Sequence, residues 1–516
     1  MMEAILALIV FSWMMYHVMG YVFGILSSFT FNSSKPNQDN QVINSIAKLG
    51  FKPFKIGIDR LTGEDGFMST FDKNRILTSN NKGLLLDSKK QLRLSQELSY
   101  QNCLAVASVG MGKTTKILLP MLYDMIANNK QTSIIVLDPK NEIFELSASF
   151  ASKNNFKVLT LSPLDINSSI SFNPFEFVQH SGELESVIRS LVQSAHGSAS
   201  SGNDIFWRES SIQLLIVLSR LLFALPDKQY RNLPNLKFIL NEFNGSSNCI
   251  LDDMFIKYCN SDVLSEFHKL KSYDDTVLLS IIASASMALA PISNNESLKK
   301  LLATNSFNFH DLRNKHVILY LNIPVHLADS YSFLVSNFIS SLMHTSILNK
   351  LPTKSDNSIT FFLDELGNYR IDKLASYINI TRGYKVSMAC FLQSTEQFEN
   401  LYGKSKAEII LNSLNTKIFF GGTSINTTNN LSNMIGKRHQ NIQGRATLLP
   451  IMDSSEIRRL KNDEVLVFIS NNRPIKLKVY PYWETYKFKR ASSLKPYVIK
   501  NRVIVNYVDY IDLGGI

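Results

Sequence analysis

The chain has 516 residues, 45 % hydrophobic and 19 % charged, which excludes a globally disordered protein and leaves room for more than one domain. Its formal net charge of +11 favours a polyanionic partner or an anionic membrane surface, although a Lys- and Asn-rich composition accounts for such a surplus equally well. Cys103, Cys249, Cys259 and Cys390 form no Cys-x-x-Cys pair and have no zinc-like spacing to histidine, so neither a disulfide framework nor a metal cluster is expected.

From Ala4 to Phe29 the sequence AILALIVFSWMMYHVMGYVFGILSSF carries no Asp, Glu, Lys or Arg. A helix crosses a bilayer with roughly 20 apolar residues, so this run suffices for one crossing and is too short for two. It has neither a basic n-region nor an A-x-A site, which predicts an uncleaved transmembrane anchor over residues 1–30. Lys35, Lys48, Lys52 and Lys55 follow it and Glu3 precedes it. The positive-inside rule then gives a single-pass protein of the inner membrane, in contact with lipid, with the bulk of the chain cytoplasmic. Residues 31–64 are polar and read as a linker.

Residues 65–178 read as the first part of an α/β nucleotide-binding domain. LAVAS is a short β-type run, the glycine loop AVASVGMGKTT follows, and KILLPMLYDMI reads as a helix. SIIVLDPK and FKVLTLS are continuous apolar runs, as buried parallel strands are. Over 179–305 helical periodicity takes over (ELESVIRSLVQSA, FWRESSIQLLIVLSRLLFAL, DTVLLSIIASASMALAPI), which predicts an inserted all-α domain. The greasy stretch Ser211–Leu225 is short and carries Arg220 at its centre, so it reads as a core helix and not a second span. Strands return over 306–490 in HVILYLNIPV, SITFFLDE, VSMACFLQ, TKIFFGG, EVLVFIS and PIKLKVY. Strands alternating with helices indicate a mainly parallel sheet. Residues 491–516 read as a C-terminal tail with no assigned task.

The glycine loop carries the chemistry. In such a loop, backbone N–H groups and a helix N-terminus converge on phosphates. Ser108, Val109, Gly110, Met111, Gly112, Lys113, Thr114 and Thr115 form the expected cradle for ATP, with Lys113 reaching the β/γ oxygens and Thr114 ligating Mg²⁺. Ala107 stands where the usual pattern has glycine, and is acceptable there if its φ is negative. Asp364 ends an apolar strand and is the expected second metal residue, while Glu365 would polarise the attacking water. Gln393 ends the next strand, where a γ-phosphate sensor sits. Arg382, in ITRGYKVS, is a candidate arginine finger for a neighbouring subunit.

Other segments join this set. LDPKNEIFELSA, SISFNPFEF, DIFWRESSIQLLIVL, SFNFHDLRNKHVILYLNIP, the block from FFLDELGNYR to FENLYG, and LLPIMDSSEIRRLKNDEVLVFISNNRPIKLKVYPYW together resemble the type IV secretion coupling proteins, the TraG/TraD group of conjugation ATPases, over roughly residues 65–485. The resemblance implies a membrane-anchored RecA-like P-loop NTPase with an inserted all-α domain, forming a homo-hexameric ring that hydrolyses ATP between subunits. By position it makes Lys113 and Thr114 the Walker A pair, Asp364 and Glu365 Walker B, Gln393 the sensor and Arg382 the arginine acting in trans. It adds Asp138 and Lys140, from the D-P-K segment, to the residues near the nucleotide. Asn141 and Lys385 depart from the family, which commonly has glycine at both positions, and one span is found where most members have two. The implied partners are type IV secretion channel components and a substrate that is DNA with its relaxase, a protein, or both. The basic runs Gly436–Gln440, Arg458–Lys461 and Lys487–Arg490 are candidate DNA contacts or solvated faces. The competing readings are an FtsK/HerA-like duplex translocase and a docking receptor for secreted effectors with ATP turnover secondary.

Overall fold

A computed structural model describes residues 66–196, 202–245, 249–442, 445–499 and 507–513. The expected anchor over 1–30 and linker over 31–64 lie outside the described residues.

One nine-stranded sheet organises the chain. Its strands are β1 (Cys103–Val106), β2 (Thr132–Leu137), β3 (Lys157–Leu161), β4 (Val317–Leu321), β5 (Ser358–Leu363), β6 (Val386–Leu392), β7 (Thr416–Phe420), β8 (Glu464–Ile469) and β9 (Ile475–Lys478). Their spatial order is β9-β8-β7-β1-β6-β5-β2-β4-β3. From β7 to β3 every pairing is parallel, and β8 runs against both its neighbours. The mainly parallel sheet is as expected, and the closing strands differ by forming an antiparallel hairpin at one edge. Burial explains the sequence patterns. β2, β5 and β6 are buried at every residue because helices cover both faces, whereas the edge strand β9 alternates buried Ile475 and Leu477 with exposed Lys476 and Lys478.

Alternate strand residues feed two cores, one on each face. Cys103 and Ala105 join Leu122, Tyr123 and Ile143 from helices α1 (Leu119–Asn128) and α2 (Glu142–Lys153). Leu104 and Val106 join the opposite core. That second core continues without a break into a wholly helical stretch: α3 (Ser181–His196), α4 (Gly202–Ala224), α5 (Leu233–Glu242), α6 (Ile250–Tyr258), α7 (Ser261–Lys271), α8 (Asp275–Ser293) and α9 (Glu296–Ala303). The helical unit therefore shares its core with the sheet and has no separate one.

Helix α4 contains the greasy stretch Ser211–Leu225, and its Leu214, Leu215, Leu218, Leu221 and Leu222 are buried. Arg220 reaches the surface and pairs with Glu266 on α7 at 2.7 Å. Among the described residues, α8 is the helix long and apolar enough to span a bilayer. Here Leu278, Ile281, Ala285, Leu289 and Ile292 of α8 are buried within the helical unit.

All four cysteines are free. Cys103, Cys249 and Cys390 are buried and Cys259 is half-buried. Burial pushes the Cys103 thiol up to about 12 and that of Cys259 to about 11. A hairpin that the sequence reading does not anticipate stands apart from the large sheet. Lys437–Ile442 pairs antiparallel with Arg445–Pro450, so the basic run Gly436–Gln440 lies largely in a strand.

Candidate nucleotide site

The parallel sheet brings the carboxyl ends of β1, β6, β5 and β2 to one edge, and the expected site residues follow those ends. The ladder carries on past β1, because the Ala107 N–H donates to Leu392 O at 3.1 Å. Within the loop the residues of positive φ are Gly110 (83°) and Gly112 (85°), and Ala107 has no such φ, which meets the condition for alanine there. Conformation requires glycine at 112, and a Cβ there would also push aside the flexible end of Lys116, 2.9 Å away. The loop leads into a π turn, Thr114–Leu118, continuous with α1.

Two ties hold the loop from behind. Ser108 Oγ donates to Gly422 O at 2.6 Å, and Lys116 Nζ donates to Met111 O at 2.9 Å and to Asn462 O at 2.7 Å. Lys116 was not singled out in the sequence. Its position three residues after the Walker lysine, on the turn that follows the loop, is the signal that could have found it. Val109 at the crest is 81 % exposed.

In front of the loop lies a buried cluster of charge. Lys113 is 6 % exposed, and its Nζ stands 3.1 Å from Asp364 Oδ1 and 3.5 Å from Glu365 Oε1. Thr114 Oγ1 donates to Asp364 Oδ2 at 3.1 Å. Gln393 Nε2 donates to Glu365 Oε2 at 2.7 Å, and exposed Lys140 stands 3.5 Å from Glu365 Oε1. Glu365 adopts φ 49°, a left-handed conformation that turns the chain sharply after β5. Lys113 Nζ is buried beside the two carboxylates yet makes no hydrogen bond of good geometry, so it has donors to spare for an added anion. The Thr114 hydroxyl and Asp364 carboxylate are hard oxygen donors side by side, suited to Mg²⁺ completed by phosphate and water. Among the described residues no group of three or more His, Cys, Asp or Glu could hold a metal unaided.

Asp138 has a different occupation. It is 2 % exposed, and its Oδ2 accepts the Phe144 N–H at 2.7 Å, which ties down the first turn of α2. Burial is the main cause that pushes its carboxyl up to about 7, backbone N–H donors oppose the rise, and Asp364 adds to it. Both departures from the family's glycines fall on left-handed residues: Asn141 has φ 59° and Lys385 has φ 52°. Asparagine tolerates that region at little cost, and lysine does not.

Arg382 is not brought to this cluster. It is exposed in the turn Thr381–Tyr384, which precedes β6, whereas Gln393 follows the other end of that strand. The length of β6 separates them, roughly 20 Å at the usual rise per residue. A cavity of about 570 Å³ flanks the site beyond Lys140, lined by Asp138, Asn141, Asn322 and Tyr497 among others.

A family model described as type IV secretory system conjugative DNA transfer matches residues 73–506. Protein VirD4 of Rhizobium radiobacter is 21 % identical over 422 residues, which cover 75 % of this chain and 58 % of that protein. Conjugal transfer protein TraG of Rhizobium radiobacter is 22 % identical over 400 residues, covering 72 % of this chain and 60 % of its own. The chain thus spans about three fifths of the length of these curated relatives. Among solved structures, plasmid coupling protein TrwB in complex with the GTP analogue GDPNP superposes with a TM-score of 0.63 at 15 % identity, covering 80 % of this chain and 92 % of TrwB. The TrwB complex with ADP and Mg²⁺ gives 0.62 at 14 %, covering 80 % and 93 %. At such identities the likeness is one of fold.

Proposed function

We propose that this chain, which belongs to the type IV secretory system conjugative DNA transfer family, is an ATP-hydrolysing coupling protein that delivers substrate to a type IV secretion channel. The observation that carries the reading is the convergence of Lys113, Thr114, Asp364, Glu365 and Gln393 at one edge of a parallel sheet. The TrwB structures with ADP and Mg²⁺ and with an ATP analogue support a nucleotide in such a site.

In this reading the cradle from Ser108 to Thr115 takes the phosphates of ATP, and Lys113 turns from the carboxylates to the β/γ oxygens. Thr114 and Asp364 hold Mg²⁺, which supplies neutralisation of phosphate charge. Glu365 accepts the proton of the attacking water. Gln393 fixes its carboxylate through Oε2, and Oε1, which Lys140 reaches at 3.5 Å, keeps a lone pair for the water once Lys113 has moved to phosphate. Asp138 sets the position of the Lys140 loop through α2. Arg382, too far from its own chain's cradle, serves the site of a neighbouring subunit in a homo-hexamer.

The domain partition follows the same reading: an anchor over 1–30 in the inner membrane, nucleotide-binding parts over 65–178 and 306–490, and the helical unit over 179–305 between them. Substrate is DNA with its relaxase, protein, or both, and the +11 net charge suits sequence-independent contact with phosphates.

The test is ATP turnover by the purified chain with and without single-stranded and duplex DNA, with Lys113→Ala and Glu365→Gln as controls. DNA stimulation lost in both variants is the expected result. Turnover lost in the variants but indifferent to DNA would favour protein cargo. Stimulation by duplex alone would favour an FtsK/HerA-like translocase. Turnover that survives Lys113→Ala would overturn the site.

A further inference from the structure

The C-terminal segment makes two separate attachments. Its first stretch lies along α2: Ser149 Oγ donates to Lys495 O at 2.5 Å, and the Tyr497 ring meets Phe144 edge-on at 6.4 Å. Its second stretch, residues 507–513, lies on the helical unit, where Asn235 of α5 receives it. Asn235 is fully buried. Its Nδ2 donates to Asp509 O at 3.0 Å, and its Oδ1 accepts the Ile511 N–H at 3.1 Å.

The orientation of that amide is fixed independently of the tail. Asn232, the N-cap of α5, accepts both the Asn235 backbone N–H at 2.9 Å and the Asn235 Nδ2 at 3.0 Å. One side of the amide must therefore be nitrogen, and Oδ1 faces the Ile511 N–H. A C=O and the N–H two residues later point to the same side along an extended chain. A single asparagine thus reads a pair of backbone groups as an adjacent strand would, without regard to the side chains attached.

The side chains add selectivity. Val508 and Ile511 are buried to 9 % and 6 % exposure. The Tyr510 ring packs on Phe238 at 5.3 Å, and Lys300 of α9 stands 5.3 Å from the Tyr507 ring centre. The segment carries Asp509 and Asp512, while α5 and α9 carry Lys237, Lys299 and Lys300. The same helices carry Glu242 and Glu296, the latter paired with Lys299 at 2.5 Å, so the balance facing the acidic segment is weakly positive.

We propose that the face of α5 around Asn235, with α9 beside it, is a docking site for an extended acidic peptide bearing apolar residues where Val508 and Ile511 stand. Its resident ligand is the chain's own residues 507–513, held reversibly. Two backbone bonds and a few apolar contacts make a weak site, and tethering supplies the occupancy, since a short tether gives an effective concentration of about millimolar. Like segments from outside gain the site only by displacing the tail. The inference stands apart from the ATPase reading.

The experiment measures binding of a fluorescein-labelled peptide YVDYIDL, the sequence of residues 507–513, to the full chain by fluorescence polarisation. Wild type, whose site is filled, is expected to bind poorly. A tail variant carrying Tyr510→Ser and Ile511→Ser empties the site and should bind at least about tenfold more tightly, the loss of tethered competition being the cause. Adding Asn235→Ala to that variant should abolish the gain. Phe238→Ala in the same background does the same by removing the ring contact, and it serves if Asn235→Ala disturbs α5, which circular dichroism would reveal. A tail variant that binds no better than wild type overturns the proposal. So does a gain that survives both groove substitutions, or one equalled by a scrambled peptide.

Discussion

The loop after β1 and the face of α5 both turn on backbone hydrogen bonding, but from opposite sides. In the loop, glycines at φ 83° and 85° shape a turn of backbone, with Lys113 and two carboxylates packed in front of it. On α5 a side-chain amide is presented to backbone groups of a segment 274 and 276 residues further along the chain. Lys113 in the loop keeps uncommitted donors, which suit an added anion. The α5 face is already satisfied and has only an exchange to offer. The two regions differ in whether their polar groups are spoken for, and substitutions should tell them apart.

The largest effect is expected at the loop. Lys113→Ala or Glu365→Gln should lower ATP turnover by about 10³-fold or more, roughly 4 kcal/mol in the barrier, while leaving the folded structure intact by circular dichroism. Asn235→Ala should leave turnover unchanged. If Asn235→Ala lowers turnover as far, the two regions are not separate.

Next comes Asp138, the buried carboxyl after β2. Its folded value of about 7 lies above the unfolded value near 3.9, so the folded chain favours the protonated acid. Its contribution to stability is full below about pH 4 and is lost as pH rises through 7, at about 1.4 kcal/mol per pH unit within that window. Asp138→Asn can still accept the Phe144 N–H, and should remove about 2–3 kcal/mol of the fall between pH 5 and pH 8 in urea melts. Parallel curves for the two proteins would mean that the carboxyl titrates normally.

Asn235→Ala should cost about 2–3 kcal/mol in the same melts, from three lost bonds at a fully buried position. A loss of a few tenths would reduce the α5 face to ordinary surface. The smallest effect separates the two left-handed residues. Lys385→Gly should gain about 1 kcal/mol from relieved backbone strain, less what the Lys385 Nζ bond to Thr353 O at 2.7 Å contributes. Asn141→Gly should instead cost about 1 kcal/mol, because asparagine already tolerates φ 59° and the Asn322 Nδ2 bond to Asn141 Oδ1 at 2.7 Å is lost.

The sheet and the cradle were legible because their signals are local. Gly110, Gly112, Lys113 and Thr114 lie within a few residues, Asp364, Glu365 and Gln393 each follow an apolar run, and parallel strands must bring such ends to one edge. The positions Asn141 and Lys385 were flagged from the sequence as departures, but only the backbone shows that both need a left-handed φ. What stayed hidden depends on contacts distant in sequence. Asn235 sits in an ordinary amphipathic helix, and nothing near it announces the tail. Asp138 reads as a site residue in the D-P-K segment, and its bond to the Phe144 N–H is a fact of folding. The hairpin of Lys437–Ile442 with Arg445–Pro450 escaped because its first strand is polar up to Ile442 and carries no apolar period.

The buried thiols have a practical consequence. With Cys103 and Cys259 pushed up to about 12 and 11 and Cys249 and Cys390 enclosed, the folded chain offers alkylating reagents almost no thiolate at neutral pH. One cysteine introduced at a position that the docked tail buries, such as Val508→Cys where the residue is 9 % exposed, would label against a silent background. Its rate of modification would then report, in the otherwise natural protein, how often the tail leaves α5.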